Sequence, residues 1–243
     1  MSVIDLSATF GAGDLPQVGD FIIVGDSEAN HEIMHVRAVT GGVATVARGV
    51  LDTVPQVWPA GSPAWGDTDY ALPYVDTGQA AGGSHPIEIE PETAGGVLSP
   101  RLARTLTLTD RSYRPLRPVG VTVAGTAWPD TASRRTNADV TVTWANRDRR
   151  AEDPVVLTWT DGTVPPEPEQ QTVIEVYQGT TQVYSWASAP GATDTSHTIP
   201  GSVFAQAGQY RIVVYSRFQF DDPAHPAHGL VSFRSVEQLL DVS

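Results

Sequence analysis

The sequence predicts an all-β protein, a small N-terminal β-meander or barrel module followed by a larger sandwich of two stacked sheets. Three observations carry that prediction. Amphipathic stretches of 3.6-residue period are scarce, 22 glycines and 19 prolines break the 243-residue chain at short intervals, and the runs between them are β-branched or aromatic and alternate apolar with polar residues. Such a length accommodates two modest cores.

In the first module, residues 1–75, Asp20-Phe21-Ile22-Ile23-Val24 reads as a buried strand and His31 to Val39 as an alternating one. Gly41-Gly42 supplies the positive φ of a tight hairpin into Val43 to Arg48. From Val50 to Trp65, Pro55, Pro59 and Pro63 rule out a central strand and predict an ordered loop returning to one short last strand. Residues 76–117, rich in Gly, Ala, Pro and Glu, read as an extended connector with strand candidates at Pro86–Glu90 and Arg101–Thr109.

The last domain, residues 118–243, has about seven strand signals. Val119–Val123 opens it, and Ala138–Trp144 alternates so that Val140, Val142 and Trp144 share one face. Thr172–Tyr177 and Gln182–Trp186 flank a Gly179 turn, Ser196–Pro200 follows, Gly208–Ser216 is the strongest run, and Leu230–Arg234 reads as the closing strand.

Cysteine is absent, so the core rests on apolar packing alone. The N-terminus lacks the charged start and apolar run of a secretion leader, and no stretch approaches a membrane span, which predicts synthesis in the cytoplasm without a spanning segment. A net charge of −13 argues against nucleic-acid partners. Charge is uneven, with ten of the fifteen arginines inside residues 101–150.

Motif inspection favours a non-enzyme with no cofactor: there is no G-x-S-x-G elbow, no H-E-x-x-H and no phosphate-binding glycine loop. His31 and His35 fall on one face of a strand with Asp26 and Glu28 nearby; a metal site needs three or four ligands converging at fixed distance, and the favoured reading is a solvated strand face. The pair Glu88 and Glu90 could serve a polysaccharide-degrading enzyme, but in an acidic connector it reads as solvated. Two clusters are candidates for partner or receptor contact: the loop with Asp221, Asp222, His225 and His228, and the basic group Arg147, Arg149 and Arg150, whose local alternative is ion pairing with Asp148 or Glu152. Trp128, Trp159 and Trp186, with Tyr177 and Tyr184, are either core or stacking platforms for sugars.

The inward Trp144 and the strand Gly208-x-Tyr210-x-Ile212-x-Val214 together resemble fibronectin type III domains of the immunoglobulin-like class, a likeness that implies a corner tyrosine at Tyr210. Glu32 to Val39, the hairpin, Ala44 to Thr53 with its Val46-Ala47-Arg48-Gly49, and Ala60-Gly61 resemble a β module of phage tail proteins. Tyr113-Arg114-Pro115-Leu116-Arg117-Pro118 leading to Val140–Arg149 resembles the end of siphophage and gene-transfer-agent tail-tip proteins, baseplate or tail-fibre components. The resemblance implies a virion structural protein of the tail, made in the host cytoplasm, that assembles with other tail-tip proteins as a homo-oligomer and contacts a host surface glycan or receptor. The rival reading is a carbohydrate-binding or adhesive β-sandwich module of a bacterial protein.

Overall fold

A computed structural model of the chain describes residues 2–5, 15–27, 30–66, 84–89, 92–93, 96–97, 102–107, 113–151 and 156–243. Among them the regular structure is β, apart from short 3₁₀ turns such as Gly201–Phe204. Residues Met1–Tyr70 and Pro115–Ser243 form one compact unit, and Ala71–Arg114 form a second.

The first sheet contains β1 (Ser2–Asp5), β2 (Phe21–Ser27), β3 (Asn30–Thr40), β4 (Val43–Ala47) and β5 (Ala64–Gly66), in the order β1-β4-β3-β2-β5. Every neighbouring pair in it is antiparallel. The sheet is an open meander with β1 and β5 at its edges. Alternation puts Ile22, Val24, Met34, Val36, Ala44 and Val46 on one face, where they form a small core capped by Trp58 from the proline-rich loop.

The second unit was expected as a connector, with two strand candidates. Those candidates pair with each other: β6 (Ser84–Ile89) runs antiparallel to β9 (Leu102–Thr107). Between them β7 (Glu92–Thr93) pairs with β8 (Gly96–Val97).

The remaining strands make a fibronectin-like sandwich. One sheet is β11-β10-β13-β16, from β10 (Val119–Val123), β11 (Thr126–Ala127), β13 (Val140–Ala145) and β16 (Ser196–Ile199). The other is β12-β18-β17-β14-β15, from β12 (Ala132–Arg134), β14 (Gln170–Gln178), β15 (Thr181–Ala187), β17 (Gly208–Phe218) and β18 (Val236–Val242). Val121, Val140, Val142 and Trp144 of the first sheet meet Ile174, Val176, Ile212, Val214 and Leu240 of the second in one continuous core. Full burial of each such side chain is worth roughly 1.5–3 kcal/mol.

Tyr210 fills the corner position: it is buried and its hydroxyl donates to the Gln206 carbonyl, 3.0 Å away and four residues upstream. The closing strand differs from expectation. Leu230–Arg234 is held to β17 by a bridge between Val231 and Arg217 and by the Ser216 amide donating to Ser232 Oγ at 3.3 Å, and β18 closes the sheet instead, alternating with Val236, Gln238, Leu240 and Val242 inward. The polar Gln238 is accepted inside because its amide donates to the Thr126 and Asp130 carbonyls at 3.0 and 2.8 Å. No helix among the described residues is long and apolar enough to cross a membrane.

Candidate functional site

A cleft of about 780 Å³ lies between the loop after β4 and the rim of the sandwich, with Trp128 and Trp159 in its wall. It is built from the sequence upward by one buried carboxylate. Glu32, on the core face of β3, is 0% exposed. It accepts from Arg48 Nε at 2.8 Å, from the backbone of Gly49 and Gln56 at 3.1 and 2.9 Å, and from Trp58 Nε1 at 2.9 Å, while Arg48 Nη2 completes the ion pair at 2.5 Å. A buried carboxylate is tolerated only when so fully bonded, and here the bonds fix residues 48–58 as a rigid loop.

Two neighbours finish that loop. Thr53 accepts from the Ile33 amide at 2.9 Å and donates to the Val50 carbonyl at 2.8 Å. Gly49 sits at φ +61°, and a Cβ there would lie 2.7 Å from Pro55 Cδ and 3.1 Å from Trp159 Cβ. Only glycine lets the loop pass this close to the sandwich.

The opposite wall is set by Arg147. This residue is 2% exposed, and its guanidinium donates to the carbonyls of Asn146, Gly162, Thr158 and Asp161 at 2.7 to 3.0 Å. Its charge therefore organises the segment that carries Trp159. The Trp159 amide in turn donates to the Arg48 carbonyl at 3.1 Å, stitching sandwich to first sheet. A second seam joins them at Arg117, fully buried, whose amide donates to Asp52 Oδ1 at 3.1 Å and whose guanidinium lies 3.5 Å from the same oxygen.

Trp128 packs against Trp159 with ring centroids 5.3 Å apart, tilted by 54°, and its Nε1 donates to the Glu237 carbonyl at 3.0 Å. Val57, 91% exposed, forms an apolar lip, and Arg234, Ser235 and Glu237 line the far side.

The residues singled out from the sequence are scattered. Arg149 chelates the Glu167 carboxylate with contacts of 2.9 to 3.2 Å and lies 5.2 Å over the Phe218 ring. Arg150 is exposed, and Asp148 accepts from the amides of Arg150 and Ala151 rather than pairing with an arginine side chain. Glu152 lies outside the described residues, as do Glu28, Glu90 and the side chains of Asp26 and Glu88.

In the 221–229 loop, Asp221, Asp222 and His225 are exposed. His225 stacks on Phe220 at 3.7 Å and accepts from the Ala227 amide, His228 Nδ1 lies 3.0 Å from the Phe220 carbonyl, and Asp222 accepts from the Ala224 amide. These bonds stiffen the loop from within. His31 lies 3.2 Å from Arg234, and His35 packs on Phe21, its pKa lowered by burial and then by Arg37. Among the described residues no three His, Asp or Glu side chains are grouped to hold a metal ion.

Trp186, Tyr184 and His197 form a stacked cluster at the open side of the sandwich. Tyr177 and Tyr215 both donate to Glu175, at 2.7 and 3.0 Å; burial first and that bond second push the Tyr215 phenol up to about 12. Of the aromatic residues proposed as platforms, then, Trp128 and Trp159 line the cleft. Gln56, Val57, Arg234 and Glu237 were not signalled by any local motif, because the cleft joins segments far apart in the chain.

No protein-family description matches the chain, and no curated protein matches it in sequence. Among solved structures it is similar to the rat CD45 extracellular region, domains d3-d4, at 9% identity with a TM-score of 0.32, over 86% of this chain and 94% of that one.

Proposed function

We propose that this chain is a non-enzymatic structural component of a bacteriophage tail tip or tail fibre, in which a β module packs on the tail and a fibronectin-like sandwich presents a surface outward. The observation that carries the reading is the use made of the motif residues. Glu32, Arg48, Gly49, Thr53 and Asp52, the positions on which the resemblance to phage tail modules rests, are spent on internal bonds that shape one loop and fasten it to the sandwich. Residues used this way serve a scaffold, and a rigid scaffold is what an assembly subunit supplies.

The expected partners are other tail-tip proteins and further copies of the same chain. Purified particles tested by mass spectrometry and by immunogold labelling should contain the protein at one end of the tail. Particles free of it would remove this reading.

A further inference from the structure

We propose that the cleft walled by Trp128 and Trp159 is a binding site for a short neutral oligosaccharide. A sugar ring has one apolar C–H face and a rim of hydroxyls that both donate and accept. It is held by a fixed aromatic surface under the face and mixed polar groups at the sides.

The cleft supplies both. The Trp128 indole cannot turn freely, because its Nε1 is bonded to the Glu237 carbonyl and its ring is wedged against Trp159. Such preorganisation lowers the entropic cost of capture. Around it stand donors on Arg48, an acceptor on Glu237, and groups of both kinds on Gln56 and Ser235. Arg48 and Glu237 are already engaged with Glu32 and Arg211 and set the polarity of the wall, while the Gln56 and Ser235 side chains offer donors and acceptors to a polyhydroxylated ligand. The volume, about 780 Å³, lies within the range of small-molecule sites and suits more than one ring.

The local charge points to a neutral sugar. Arg48 faces Glu32, Arg117 faces Asp52 and Glu237 is paired with Arg211 at 3.0 Å, so most of the charge along the cleft is compensated within the protein. The inference does not depend on the virion assignment. Absence from particles would leave it standing, and failure to bind sugars would leave the structural role standing.

The test is a defined glycan array of neutral and acidic saccharides probed with the full chain, followed by fluorescence titration and saturation-transfer NMR with the neutral oligosaccharides bound. Trp128→Ala is expected to weaken binding by about thirtyfold, as for removal of a tryptophan anchor. Because Trp128 also touches the sandwich core, Ser235→Trp serves as the second variant: it fills the cleft while Trp128 stays in place, and should abolish binding with an unchanged melting temperature. His225→Ala with His228→Ala, in the distant loop, should leave affinity as it was. The proposal is overturned if no saccharide on the array binds, if only acidic saccharides bind, if affinity survives both cleft variants, or if the histidine variants abolish it.

Discussion

Trp186 lies flat on His197, with ring centroids 4.0 Å apart and planes 15° from parallel, and the Tyr184 hydroxyl oxygen is 2.7 Å from His197 Nε2. Strands β15 and β16 belong to different sheets, so this contact closes the open side of the sandwich. Burial lowers the His197 pKa below its ordinary 6.5. The unfolded chain then binds the proton more readily than the folded one. Stability from this group is complete above about pH 6.5 and is lost as pH falls toward the lowered folded value. His35, shifted the same way, adds to the effect. Urea midpoints measured from pH 8 to pH 5 should decline on the acid side, and His197→Gln should flatten the decline; an unchanged slope in that variant would refute the assignment.

Glu32→Gln should cost about 3 kcal/mol, since it leaves Arg48 beside a neutral amide in a buried site. Pairing it with Arg48→Met should cost less than the two single changes together. Denaturant titration of the four proteins in the cycle checks both statements.

Gly49→Ala places a methyl group against Pro55 and Trp159 at a backbone angle that alanine adopts poorly. We expect a loss of roughly 1–3 kcal/mol and a shift in tryptophan emission. The shift separates local displacement of the cleft wall from general weakening.

Arg147→Met removes the donors that gather the Thr158, Asp161 and Gly162 carbonyls and that of Asn146. The expected cost is about 3 kcal/mol, with faster amide exchange at Trp159 than at Ile212. Uniform exchange across the sandwich would contradict the localised role.

Tyr210→Phe deletes the corner bond to Gln206 while keeping the ring in place. About 1 kcal/mol should be lost, with the circular dichroism spectrum unchanged.

Much of the sandwich was legible because alternation is a local signal. Val140, Val142 and Trp144 point inward as their spacing demands, and Gly208 to Ser216 falls within the central β17. The closing strand was misplaced because Leu230–Arg234 has strand composition but pairs with β17 over a single bridge, whereas β18 hides Gln238 among its inward residues, a burial made possible by the distant Thr126 and Asp130 carbonyls. The short β12 was invisible for a similar reason: three residues hold no pattern, and pairing with β18 alone defines them. The cleft was half visible. Its tryptophans stand out in any β sequence, but the side chains around them come from loops that only tertiary folding assembles.

The pairing of β12 with β18 is parallel and joins Ala132 to Leu240 across almost half the chain, while β18 also runs beside β17. A nascent polypeptide that has emerged only as far as β17 thus lacks an interior strand of the larger sheet, and the inner apolar surface stays open until residues 236–242 leave the ribosome. Contacts this distant in sequence close slowly, so the larger sheet is completed only after β18 has been made.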